Sequence, residues 1–128
     1  MQILPPNKVK IVEIKGKGRG VVATENIKLG EIIEVCPTIF ISKEEAEFTK
    51  NSEVLKYYCL EQYAIGKSCV MLGYGSIYNH SKNPNADIEY NEEKPENYLT
   101  FRAIKDIKTG EEIVYDYEFD NNVEEFLV

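Results

Sequence analysis

The sequence predicts a single, mostly β domain carrying one small helical insert. Three observations support this. Short β-branched or partly alternating apolar runs, such as KVKIVEI and NYLTFRAI, recur along the chain. Glycine-rich or polar turns separate them, among them GKGRG, LGE, YNEEKPEN and KDIKTGEE. One stretch alone, from Ser42 to about Tyr63, changes to apolar positions at helical spacing. The 128 residues suit one domain, and a hydrophobic content of 43% is enough to build its core.

Taken in order, Lys8 to Ile14 is the first strand and Gly16 to Gly20 a glycine-rich turn. GVVATENI continues as a second strand, and Leu29 to Glu31 turns the chain into the longer strand EIIEVCPTIFI. Pro37 marks an edge or a bend there, because proline has no N–H to give to a ladder. Ser42 followed by Glu45 has the spacing of a capping box. Ala46, Phe48, Val54, Leu55, Tyr58 and Leu60 are the apolar positions behind it, interrupted at Asn51-Ser52, so two short helices or one broken one are expected. Strands return at SCVMLGYG, ADIEYN, NYLTFRAI and EEIVYDY, and an acidic tail, FDNNVEEFLV, follows. The pattern does not fix the order of the strands.

The net charge of -7 and pI of about 4.8 argue against direct nucleic-acid binding by charge alone. An acidic surface favours a basic partner, although acidity that serves only solubility is the simpler reading. MQILPPNKVK lacks the apolar core of a signal peptide, and no run approaches the ~20 apolar residues of a membrane span. A soluble protein, cytoplasmic or otherwise intracellular, is expected. Cys36, Cys59 and Cys69 are odd in number and widely spaced, which predicts free, mostly buried thiols and no zinc site.

Three segments carry chemistry. Gly16-Lys17-Gly18-Arg19-Gly20 lets a backbone approach a ligand closely, yet it lacks the spacing of a dinucleotide fingerprint, and alone it reads as a hairpin turn. Leu72 to Ala86 holds aromatics, Asn79 and the single histidine, His80. Ser81 directly follows His80, which rules out an attack geometry between them, and one histidine cannot make a metal site. Alone this is a buried polar turn. Thr109 to Tyr117 puts Tyr115 and Tyr117 on one strand face, either as ordinary packing or as an aromatic wall with hydroxyl tips suited to a long alkyl amine.

In this order, G-x-G, then NHS-x-x-PN, then GEEI-x-YDY, the segments resemble the SET-domain family of protein lysine methyltransferases from about Gly16 to Tyr117. NHSKNPN followed by GEEIVYDY carries most of the specificity. With Leu72-Gly73-Tyr74-Gly75 leading into NHS and no cysteine-rich flanks, the chain looks like the compact stand-alone SET proteins of bacteria and large viruses. The resemblance implies a SET-domain (β-clip) fold of short twisted sheets, with a C-terminal pseudoknot shaped by Pro84 and Asn85. It implies one SET domain over residues 1–128, with the insert at about 42–66 and the tail at about 118–128. The implied reaction moves a methyl group from S-adenosylmethionine to the ε-amine of a lysine in a protein substrate, a histone or another basic protein. It leaves S-adenosylhomocysteine and needs no metal. A histone substrate would place the protein in a nucleus, its own or a host's, and compact relatives suggest a homodimer.

Residue by residue, the resemblance places the methionine part of the cofactor on Lys17, Gly18, Arg19 and Gly20. Its adenine and amino ends fall on Asn79 and His80. Tyr117 matches the methyl-transfer centre and also touches the cofactor. Tyr115 matches the position that sets how many methyls are added, where tyrosine favours one. Tyr58 matches a tyrosine of the lysine channel, with Tyr57 and Tyr63 as alternatives, and Tyr74 and Tyr78 fall on cofactor or channel walls. Many SET enzymes close the channel with a segment of three zinc-binding cysteines. No Cys follows Tyr117, which leaves Phe119, Phe126, Leu127 or a second subunit for that role. Lys82 stands where nuclear relatives often carry Cys, which weakens a direct transfer of histone specificity. The alternative is a non-catalytic SET-like module that binds a lysine-containing peptide.

The chemistry gives such residues a purpose. A lysine amine has a pKa of about 10.4 in water and is nearly all protonated. An aromatic channel that strips its water, with a cationic donor opposite, favours the neutral nucleophile, and alignment supplies most of the remaining gain.

Overall fold

The computed structural model describes residues 2–64, 67–91, 93–94 and 97–117, with residues 61–64 described as backbone only. The tail, with Phe119, Phe126 and Leu127, lies outside the described residues, as does the side chain of Tyr63. Strands β1 (Val9–Ile14) and β2 (Gly18–Ala23) form an antiparallel hairpin. Its turn is shorter than the glycine run suggested. Gly18 to Gly20 belong to β2, and only residues 15–17 turn, closed by the Lys17 N–H donating to the Ile14 carbonyl at 3.0 Å. β2 also stops at Ala23, short of Ile27, whose main chain instead bridges Ile107.

The main sheet is antiparallel, in the order β4 (Cys59–Ala64), β5 (Lys67–Met71), β3 (Ile32–Phe40), β8 (Tyr98–Ala103), β7 (Ala86–Tyr90). Pro37 lies inside its central strand. Pairing of β3 with β8 runs through Pro37–Tyr98, and pairing with β5 begins at Thr38–Met71. The proline therefore falls where β3 changes partners, a position that tolerates a missing donor. On β8 the residues alternate strictly, so Leu99, Phe101 and Ala103 enter the core while their neighbours face outward. The core also holds Val21, Ile27, Ile107, Ile113 and the buried thiol of Cys36. Among the described residues the three cysteines form no disulfide, and burial pushes the Cys69 thiol up to about 12 and that of Cys36 further. A third, very small sheet pairs β6 (Asn79–His80) in parallel with β9 (Val114–Tyr115).

The insert departs most from expectation. Helix α1 (Lys43–Asn51) starts at the expected capping box. The Glu45 N–H donates to Ser42 Oγ at 3.1 Å, and the Ser42 N–H donates to Glu45 Oε1 at 2.9 Å. A 3-10 turn, Leu55–Tyr57, follows the break at Ser52, but residues 59–64 are strand β4 rather than helix. Cross-strand pairing of Cys59 with Val70 and Leu60 with Cys69 overrides a thin helical pattern. No residue of α1 is buried, and Phe48 is 71% exposed, so the apolar spacing there does not mark a core face. Because α1 rests on its cap and not on packing, Ser42→Ala should cost about 1 kcal/mol locally. It should raise amide exchange in residues 43–46 and leave the global unfolding midpoint nearly unchanged.

Two expected strands are also shorter. SCVMLGYG leaves the sheet after Met71, because Gly73 adopts φ +67° and turns the chain. EEIVYDY contributes only Val114–Tyr115. Among the described residues, no helix is long and apolar enough to cross a membrane.

Candidate active site

The β1–β2 turn, the end of the 3-10 turn, residues 76–77 and 79–80, and Tyr117 surround a cleft of about 1330 Å³. Lys17, Gly18, Arg19, Tyr58, Asn79, His80 and Tyr117 line it, as does Tyr57. Gly20 and Tyr115 are not among its lining residues, although the Tyr115 ring packs on that of Tyr117. Tyr78 is a correction: at 1% exposed it is a core residue, its ring 4.3 Å from that of Phe101 and its hydroxyl donating to Glu34 at 2.6 Å. The turn at Gly73 sends this side chain inward, where strand alternation could not have been used to read it. Tyr74 is half-buried against the core and away from the cleft lining.

The three chemical segments meet through hydrogen bonds. The Glu112 carboxylate accepts from Lys17 Nζ at 2.7 Å and from Asn79 Nδ2 at 2.7 Å, and Asn79 Nδ2 also reaches the Arg19 carbonyl at 3.0 Å. One carboxylate thus ties the hairpin to the NHS segment. Gly20 lies at that junction. A Cβ there would run into Ile14 Cδ1 and come within 2.7 Å of Glu112 Oε2 and 2.8 Å of Asn79 Nδ2. Asn85 clamps the same region from the other side, its Nδ2 donating to the Glu112 carbonyl at 2.8 Å and its Oδ1 accepting from the Val114 N–H at 2.9 Å. Segments 79–85 and 112–117 therefore lie side by side, joined by side chains as well as by the β6–β9 ladder.

His80 Nδ1 accepts from the Tyr117 N–H at 3.0 Å. In the neutral ring this leaves the proton on Nε2. The Asp116 carboxylate lies 3.8 Å from the same nitrogen. The Tyr117 hydroxyl donates to the Tyr78 carbonyl at 2.5 Å. Burial, followed by the charge of Glu112, pushes the Tyr117 phenol above its usual value, so it stays neutral at physiological pH. Tyr115 is 3% exposed and sits between Tyr117 (ring centroids 4.7 Å apart) and Phe101 (5.1 Å, edge-on), and burial again raises its phenol. Among the described residues, no group hydrogen-bonds the Tyr115 hydroxyl. Ser76 Oγ lies 3.1 Å from the Tyr58 carbonyl and 3.0 Å from that of Met71, which fixes the end of the insert against the cleft.

Glu112, Glu34 and Ser76 were not singled out from the sequence. Glu112 stands inside the recognised GEEI run, so proximity to a motif was its one available signal.

The cleft suits a nucleoside-bearing amino acid beside an alkyl amine. Gly16 and Gly18 line it with φ of +84° and +79°, and a Cβ on either would meet nothing within 4 Å, which leaves bare backbone open to a ligand. Arg19 offers positive charge for a carboxylate, Lys17 lines the cleft with its ammonium held by Glu112, and the aromatic face of Tyr117 offers contact for a sulfonium.

Residues 18–118 match the SET domain, and the chain belongs to the SET-domain family of protein lysine methyltransferases. It is 35% identical over 109 residues to the histone-lysine N-methyltransferase of Schizosaccharomyces pombe specific for H3 lysine-37, covering 85% of this chain and 72% of that protein. It is 29% identical over 119 residues to N-lysine methyltransferase KMT5A-A of Xenopus laevis, of which it spans only 36%. Among solved structures it resembles a candidate histone methyltransferase of Plasmodium falciparum, with a TM-score of 0.69 and 34% identity over 88% of this chain and 99% of the other. A structure solved to explain the product specificity of histone lysine methyltransferases superposes with a TM-score of 0.72 at 26% identity, over 85% of this chain and 50% of that one.

Proposed function

We propose that this chain methylates the ε-amine of a lysine in a histone or another basic protein, adds a single methyl, and uses S-adenosylmethionine as donor. The observation that carries this reading is the meeting, in one cleft, of open glycine backbone, the Asn79-His80 pair and the Tyr117 ring. When bound, S-adenosylmethionine supplies a methyl group activated on a sulfonium. Gly18, Lys17 and Arg19 hold its amino-acid part. Asn79 and His80 hold its other end, with Asn79 oriented by Glu112 and His80 by the Tyr117 N–H. Tyr57 and Tyr58, from the insert of one domain spanning residues 1–128, guide the lysine stem and exclude water from its amine. Tyr117, kept neutral and fixed by the Tyr78 carbonyl, aligns the amine lone pair with the methyl. A histone substrate would place the protein in a nucleus.

The single methyl follows from Tyr115. A buried phenol hydroxyl left without a partner is costly, on the order of 1–3 kcal/mol. A water held by this hydroxyl behind Tyr117 satisfies it and narrows the space that a methylated amine needs. Tyr115→Phe should therefore convert a monomethylating enzyme into one that yields di- and trimethyl-lysine at a similar first-step rate, read by mass spectrometry of the product peptide.

The reaction is tested by incubating recombinant core histones and a panel of other basic proteins with S-adenosylmethionine and scoring lysine methylation by mass spectrometry. A thermal-shift titration with the cofactor runs beside it. Methylated lysine with a cofactor-dependent shift is the expected result. A shift without transfer to any protein would favour the non-catalytic peptide-binding module, and no shift would overturn the reading.

A further inference from the structure

We propose that Glu34 is a positioning residue for Tyr117, acting through Tyr78 from outside the cleft. Glu34 lies on β3 and is 3% exposed. Its Oε1 accepts the Tyr78 hydroxyl at 2.6 Å, its Oε2 accepts the Tyr74 N–H at 2.9 Å, and the Cys36 thiol also donates to the carboxylate. Gly73 makes room for it: this residue has φ +67°, and a Cβ on it would run into Glu34 Oε2. Among the described residues no cation pairs with the carboxylate. Burying an acid without a cation is unfavourable, so stability alone gives no reason for it.

What the carboxylate does is fix segment 72–78 at two points, a main-chain N–H and a phenol. The second point matters for chemistry, because Tyr78 has two ends. Its phenol is held by Glu34, and its carbonyl accepts the Tyr117 hydroxyl at 2.5 Å. The ring of Tyr78 packs on Phe101, which packs edge-on against Tyr115. Glu34 thus sets the carbonyl that aims the Tyr117 hydroxyl, without touching any reacting group. Tyr78 lies 44 residues from Glu34 and 39 from Tyr117, so the relay joins β3 to the C-terminal segment through one residue.

This inference rests on the assignment of Tyr117 to methyl transfer, and the test separates the two. Glu34→Gln keeps the shape but turns one acceptor into an N–H donor: facing the Tyr74 N–H it loses that bond outright, and facing Tyr78 it forces the phenol to reverse from donor to acceptor. The Tyr117 ring-carbon resonances, assigned by comparison with Tyr117→Phe, should move in Glu34→Gln although the residues are not in contact. With whichever basic protein of the panel wild type methylates, kcat should fall about 10- to 100-fold while cofactor affinity and substrate KM change less than about threefold. Tyr78→Phe, which removes the relay from its other side, should give the same split, and serves alone if Glu34→Gln does not fold. Unmoved Tyr117 resonances, or a folded variant with unchanged kcat, would overturn the proposal. If instead Tyr117→Phe itself transfers methyl normally, the functional reading has failed, while the resonances still report whether the relay exists.

Discussion

Tyr117→Phe should slow methyl transfer by at least about a hundredfold while cofactor affinity stays within about twofold. The change removes one oxygen and leaves the ring, so the contacts with His80 and Tyr115 persist. Lost with the oxygen are the bond to the Tyr78 carbonyl and a hydroxyl that lines the cleft. The phenol is neutral over the working pH range, so its contribution is orientation and a fixed dipole rather than proton removal. The pH–rate profiles of wild type and variant should therefore share the same shape, displaced only in height. Single-turnover rates with calorimetric titration of the cofactor separate the two effects. A variant that keeps its rate would remove Tyr117 from the transfer step.

Gly20→Ala should destabilise the fold by about 2–3 kcal/mol and weaken cofactor binding roughly tenfold. No positive φ is involved here, since Gly20 is an ordinary position inside β2. The reason is space. The Ile14 methyl can swing away, but Glu112 Oε2 and Asn79 Nδ2, 2.7 and 2.8 Å from the new carbon, are bonded to each other. Moving either one breaks the link between the hairpin and the NHS segment, so the stability loss and the affinity loss arise from the same displacement. Urea unfolding and cofactor titration should show both. A variant with full stability would mean that the Glu112–Asn79 contact relaxes freely.

Much of this was legible in the sequence where a pattern repeats locally. β1, β3, β7 and β8 show their apolar runs, and Ser42 with Glu45 announces the start of α1. Site segments were legible by resemblance and not by physics, since each alone also reads as a turn or as packing. The failures occur where tertiary pairing decides. Leu60 looks helical until Cys69 lies beside it, and Tyr78 looks like a channel residue until the Gly73 turn buries it. Glu34 and Glu112 were invisible for a deeper reason. A glutamate in a half-polar stretch reads as solvated, and only the contacts made by Tyr78, Asn79 and Lys17 give these two their roles.

The β6–β9 ladder has a consequence for the order of assembly. Every strand of the five-stranded sheet is complete by Ala103, whereas the cleft needs Glu112 and Tyr117. The bond from the Tyr117 N–H to His80 closes a span of 37 residues, and such long closures lose chain entropy before contacts compensate. A nascent chain halted after Ala103 would thus hold the full complement of sheet strands with no place for a cofactor. The site is completed only after the sheet, when residues 112–117 close on the NHS segment, and a cofactor present at that moment would act on this closing step rather than on the fold as a whole.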